Sequence, residues 1–147
     1  DTVSLCLSKG LGAPVGSVLV ASREAVARAR VQRKRLGGGW RQAGILAAAG
    51  LYALEHHVAR LADDHAAAMA FAESVAERTG VLADAPTNIV VLATGDRSPA
   101  EVVAAARSRG VALSAVGPRL VRAVTHLDVT LDECREAGAV VGQVLTG

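Results

Sequence analysis

Half of this chain is hydrophobic, yet Trp40, Tyr52 and Phe71 are the only aromatic residues among its 147. Its apolar surface is therefore built from Ala, Val and Leu, and helices can bury it only by close approach through small side chains. With so few rings there is no stacking platform for single-stranded nucleic acid. The length suits one ordinary domain, and the apolar content is ample for a buried core. Sixteen basic and fourteen acidic residues leave a formal charge of +2. The basic residues nevertheless concentrate between Arg23 and Arg41, so the cluster needs explaining more than the total does. Cys6 and Cys134 belong to no CxxC pair or spaced ligand set and are expected as reduced, buried thiols, with a reducing cytosol as the default. The apolar run from Ala43 to Leu54 is shorter than the roughly 20 residues a membrane span needs. No basic n-region with a cleavage site opens the chain, so neither secretion nor a membrane is expected. It begins with Asp1 and enters an apolar run at once, the expectation for a fragment or a processed product.

The pattern along the chain predicts strands over Val3 to Leu7 and Gly16 to Ala21, separated by a loop rich in glycine and proline. Ser22 is placed to cap a helix running to about Leu36 and stopped by Gly37-Gly38-Gly39. A second, Ala-rich helix is expected from about Arg41 to His56 and should be buried. A third should run from about Val58 to Arg78 and close at Gly80. A soft boundary falls near Ala59. Beyond Pro86 the texture becomes α+β. Ile89 to Leu92 reads as a strand, Ser98-Pro99-Ala100-Glu101 as a capped helix start, and Val111 to Ala115 and Leu120 to Val124 as strands paired about Gly117-Pro118. A last helix starts near Thr130, with Asp132 and Glu133 suiting its positive end.

The segment Ser8-Lys9-Gly10-Leu11-Gly12-Ala13-Pro14 sets one lysine between an apolar strand and a glycine loop. A lysine fixed in partly apolar surroundings keeps a usable neutral, nucleophilic fraction, which suits Schiff-base chemistry, and the glycines let the backbone come close to a ligand. On composition alone the ordinary reading is a solvated loop lysine. A phosphate loop of the GxxxxGK[ST] type is excluded, because there the lysine stands at the far end of the loop. Arg28, Arg30, Arg33 and Arg35 read as a solvated helix face. His56, His57 and His65 lack further ligands for a zinc set. His126 and Asp128 follow a strand, the histidine being expected to make its bond in the core. Cys134, in the first turns of a helix, is expected to be inert and half-buried.

Three segments, SLCLSKGLGAPVGSVLVASRE, RKRLGGGWRQAGILAAAGLYAL and VRAVTHLDVT, in this order and spacing resemble the threonine aldolase family of fold-type I pyridoxal-phosphate enzymes. The resemblance covers essentially the whole chain. It implies an α/β fold, with residues 1–59 as the end of the cofactor-binding large domain and residues 60–147 as a small C-terminal α+β domain. It implies pyridoxal 5'-phosphate as cofactor, Lys9 as its Schiff-base lysine with Ser8 beside it, and cleavage of L-threonine or L-allo-threonine to glycine and an aldehyde. Arg122 matches the family's arginine for the substrate carboxylate, where a guanidinium fork offers a bidentate grip. Arg41, and less closely Lys34, match positions near the active site and the subunit interface. Cations beside a glycine turn and a helix start suit a phosphate there. Trp40 stands where many relatives have methionine. The implied assembly is a cytoplasmic homo-oligomer, tetramer or dimer, acting on a small amino acid, with no nucleic acid and no membrane.

The same resemblance places an aspartate for the pyridine nitrogen, a ring-stacking histidine and much of the phosphate loop upstream, outside these 147 residues. The chain by itself is therefore expected to be inactive or nearly so. Two alternatives stand beside this reading: another fold-type I lyase of amino acids, such as a β-eliminating one, and a non-catalytic folding or interaction module held together by the Ala-rich helices.

Overall fold

The computed structural model describes residues 1–147, a mixed α/β chain that divides into two compact units, Asp1–Ala59 and Arg60–Gly147. In the first unit, β1 (Thr2–Cys6) and β2 (Ser17–Ala21) pair antiparallel, with Val3 opposite Val20 and Leu5 opposite Val18. Side chains alternate across a strand, so these four form one apolar face. All four are exposed. Helix α1 (Arg23–Arg35) starts where the Ser22 hydroxyl accepts the Ala25 N–H at 3.2 Å. It ends in a Schellman turn: Gly37, at φ 85°, donates to the Lys34 carbonyl and Gly38 to that of Arg33. No residue of α1 is buried, and its arginines are all exposed, solvated as the sequence predicts.

Helix α2 (Gly44–His56) begins three residues later than its composition predicts. Gln42 sits at φ 47°, in the left-handed region, so the right-handed helix can only start beyond it. Nor is α2 buried as expected. Only Gly50 and Ala53 are, while Ile45 is 84% exposed and Leu51 and Tyr52 are also exposed. The first unit buries just Leu11, Ala13 and Ala53 among its hydrophobic residues, and a two-stranded ladder has too little surface to cover a helix of this apolar character.

The second unit contains the larger core. Helix α3 (Leu61–Thr79), which starts after the turn at residues 57–60 and ends at Gly80 with φ 70°, packs against α5 (Leu131–Thr146). Together with α4 (Pro99–Ser108) they enclose Ala67, Ala68, Phe71, Ala72, Val75, Val102, Ala106, Val141 and Val144. A Cβ added to Gly138 of α5 would lie 2.5 Å from the Phe71 carbonyl oxygen and 2.7 Å from Ser74 Cβ. One added to Gly142 would lie 2.8 Å from Arg78 Cβ. The two helices thus meet backbone to backbone, as the shortage of large side chains requires, and Ser74 Oγ donates across to the Arg135 carbonyl at 2.8 Å.

A three-stranded antiparallel sheet, ordered β3 (Ile89–Ala93), β5 (Leu120–Val124) and β4 (Ser114–Gly117), completes the unit. β4 starts three residues later than its sequence pattern predicts. Gly110 and Val111 are still closing α4, donating to the Arg107 and Ala106 carbonyls, and the ladder cannot form until they are past. Both remaining helix starts are capping boxes. Ser98 exchanges hydrogen bonds with Glu101, and Thr130 with Glu133. Accepting the Ser98 backbone N–H first, and its hydroxyl second, holds the Glu101 carboxyl below the usual glutamate range, and Thr130 acts on Glu133 in the same way. No helix is long and apolar enough to cross a membrane.

Two outcomes follow. Gly138→Ala gains helix propensity but drives a methyl group into the α3 backbone, and overpacking of this kind costs about 1–3 kcal/mol. The urea midpoint should fall, and an unchanged or higher midpoint would show that α3 yields easily. Because the folded pKa of Glu133 is lowered, its cap contributes fully above the ordinary glutamate pKa and is lost as pH falls through the lowered value. Glu133→Gln should therefore reduce thermal stability at neutral pH and lose that effect in acid, as melting curves across pH would record.

Candidate active site

Lys9 lies on the loop joining β1 to β2. Gly12, at φ 72°, donates its N–H to the Lys9 carbonyl at 2.8 Å, and Ala13 donates to the Leu7 carbonyl at 3.0 Å, so the chain doubles back beneath the lysine. Leu7 donates to the Gly16 carbonyl, carrying the β1–β2 pairing one step into the loop. Leu11 and Ala13 are buried, which fastens the loop through its apolar side chains. From α2, Gly50 lies against Leu7, so close that an added Cβ would sit 3.0 Å from Leu7 Cδ1. Near the end of the same helix, His57 Nδ1 stands 2.6 Å from the Leu11 carbonyl oxygen. The result is an exposed lysine on a loop held at several points, its amine without a hydrogen bond or ion pair. The partly apolar surroundings expected for Lys9 are not provided by this chain, because the loop buries its apolar residues on the side away from solvent and leaves the lysine outside.

Ser8, beside it, is also exposed, and its hydroxyl lies 3.6 Å from Cys6 Sγ. That hydrogen bond and then the Ser8 backbone N–H draw the Cys6 thiol below its usual range against burial, which opposes them, with lesser help from Ser17 and the Lys9 charge. Cys6 is thus not the buried thiol expected: it ends an open strand and is half-buried. Cys134 is fully buried against α3 and the core, and burial, followed by the charge of Glu133, pushes its thiol up. The position in the first helical turn, which favours a thiolate, is outweighed.

Lys34 and Arg41 lie on either side of the triple glycine, both exposed. The Lys34 side chain folds over Gly39, where an added Cβ would lie 2.7 Å from Lys34 Cδ, so this glycine makes room for a cation returning across the turn. Ser8, Lys9, Lys34 and Arg41 all belong to the first unit.

Arg122 belongs to the second unit, on the central strand β5. Its neighbours Val121 and Ala123 point into the core, paired with Leu92 and Val90. Arg122 therefore points to the other face, opposite Val91 on one side and Ser114 on the other. Around it on that face stand Ile89, Val91, Leu120 and Val124, each exposed. Its Nε is buried without a hydrogen-bond partner. A guanidinium that is always charged and short of an acceptor, set in a mostly apolar sheet face, is suited to a carboxylate brought from outside the unit.

The remaining polar residues have local roles. Asp64 pairs with Arg60, and its backbone carbonyl accepts the Thr125 hydroxyl at 2.6 Å. His126 does not bond in the core as expected but lies at the surface, because the chain leaves the sheet after Thr125. Its Nδ1 accepts the Asp128 backbone N–H at 3.1 Å. No group of three His, Cys, Asp or Glu side chains gathers as a metal site. The bond from His57 to Leu11 joins residues 46 apart, and no local sequence signal announces it.

Comparison with known proteins identifies the family of the chain. The sequence model described as beta-eliminating lyase matches residues 1–96, which include the Lys9 loop, α1 and α2. A low-specificity L-threonine aldolase of Escherichia coli (strain K12) is 44% identical over 139 residues, covering 95% of this chain and 41% of that protein. A probable low-specificity L-threonine aldolase of Schizosaccharomyces pombe is 42% identical over 132 residues, covering 90% of this chain and 34% of that protein. Low-specificity L-threonine aldolase 1 of Arabidopsis thaliana is 38% identical, covering 90% and 39%. The chain thus spans about two fifths of the length of the curated relatives it matches. It belongs to the beta-eliminating lyase family and, within it, is similar to the low-specificity L-threonine aldolases.

Proposed function

We infer that this chain is part of a pyridoxal-phosphate-dependent lyase that cleaves L-threonine, L-allo-threonine and related β-hydroxy-α-amino acids to glycine and an aldehyde. The observation that carries the reading is the Lys9 amine, unpaired at the tip of a braced loop in the segment that the family match covers. A cofactor aldehyde requires a free amine, and Lys9 offers one on a braced stretch of backbone. Ser8 beside it and the cations Lys34 and Arg41 are proposed as further cofactor contacts, the latter two toward its phosphate, which exposed cations flanking a helix start can attract.

Bound pyridoxal phosphate supplies the electron sink for breaking the Cα–Cβ bond. What this chain adds is positioning. Arg122, with its fork unpaired, is proposed to take the substrate carboxylate in two parallel hydrogen bonds, which fixes rotation about the carbon whose bond is to break. The working form is proposed to be a cytoplasmic homo-oligomer, tetramer or dimer, with the active site at a subunit interface.

The full-length protein, incubated with pyridoxal phosphate, reduced with borohydride and digested, should carry a phosphopyridoxyl group on the peptide containing Lys9. An unlabelled Lys9 peptide would remove the lyase reading and favour a non-catalytic module. Label without threonine cleavage would favour another amino-acid lyase of the family. Arg122→Ala should leave Lys9 labelling intact and raise KM for L-threonine about ten- to hundredfold, the worth of a hydrogen bond to a charged group. Loss of labelling in that variant instead would place Arg122 on the cofactor.

A further inference from the structure

The loop that carries Lys9 is tied to the far end of a helix by one side chain. His57 Nδ1 lies 2.6 Å from the carbonyl oxygen of Leu11, two residues past the lysine. A carbonyl oxygen only accepts, so the ring donates from Nδ1, as both the imidazolium and the Nδ1-protonated neutral tautomer do. The bonds from Gly12 to Lys9 and from Ala13 to Leu7 fold the loop upon itself, whereas the His57 bond fastens it to α2. The Tyr52 and His57 rings stand at 90° with centroids 5.5 Å apart, a contact that limits how the imidazole can turn. Gly50, about two turns before His57 on the same helix, receives Leu7. Helix α2 therefore grips the loop on both sides of Lys9.

We propose that His57 is a positioning residue for Lys9: by donating its Nδ1–H to the Leu11 carbonyl it fixes the loop and so sets how firmly the Lys9 amine takes up a cofactor aldehyde. The proposal rests on the reading of Lys9 as the cofactor lysine, and goes beyond it in assigning a role to a residue that bonds to the loop backbone and not to Lys9 itself. It makes a specific demand on geometry. The side-chain amide nitrogen of asparagine falls where histidine Nδ1 does, whereas that of glutamine lies one methylene further out, where Nε2 would be. Asparagine should therefore replace His57, and glutamine, though closer in bulk, should not.

The test compares full-length wild type with His57→Ala, His57→Gln and His57→Asn. The readout is the pyridoxal phosphate concentration giving half-maximal borohydride-trapped label on the Lys9 peptide, with thermal unfolding followed in parallel. His57→Ala and His57→Gln should raise that concentration about tenfold, the order expected for one lost hydrogen bond, and His57→Asn should restore the wild-type value. If the wild type carries no label at Lys9, the cofactor reading itself is wrong. If the wild type is labelled and all three variants match it, or glutamine performs as well as asparagine, the positioning role is overturned. Should the alanine variant not fold, the contrast between asparagine and glutamine decides.

Discussion

The close contact of α3 with α5 is the interaction on which the second unit depends. Gly138 and Gly142 bring the α5 backbone down onto Phe71, Ser74 and Arg78 of α3 without intervening side chains. In a chain nearly devoid of aromatic residues this closeness replaces bulk: dispersion falls steeply with separation, and only small residues let many atoms meet at once. Phe71 is the single ring in this core. The sheet then has one face committed to the core through Val90, Leu92, Val121 and Ala123, and the opposite face, with Arg122 at its centre, is left for other work.

The first unit is organised differently. Its buried hydrophobic residues are few, and what order it has around Lys9 comes from hydrogen bonds within the loop and from two points on α2, Gly50 and His57. Open apolar surface on β1, β2 and α2 is the counterpart of that arrangement. The lysine loop is thus precise in its backbone while its surroundings stay open, a combination suited to residues that must meet a ligand or another polypeptide surface.

Much of the fold could be read in the sequence because its punctuation is local. Ser22, Ser98 and Thr130 cap helices through side chains within three residues, and Gly37 and Gly110 end them by adopting positive φ. Boundaries were displaced where a backbone conformation intervened that composition does not reveal, as at Gln42, or where a helix terminus overran the start of a strand, as at Val111. The exposure of α2 was not legible, since an Ala-rich pattern announces a helix without saying what will cover it. Of the candidate residues, Lys9 stood out by its place after a strand and before a glycine loop. Arg122, Arg41 and Lys34 were singled out by family resemblance, because an arginine in a strand or beside a turn has many ordinary explanations. His57 escaped notice altogether as a partner of the loop, since its bond spans 46 residues.

The central position of Arg122 limits how the placement of its charge can change. β5 is paired on both edges and its neighbours Val121 and Ala123 are locked in the core, so the strand cannot slide by one residue without turning the guanidinium inward and a valine outward. The charge can thus occupy only discrete addresses along the strand, about 6.8 Å apart. Evolution can adjust its reach through the length of the side chain or through the partner strands, but it cannot move it by small degrees along β5. Any chain that shares this sheet inherits that address as a fixed coordinate of its open face.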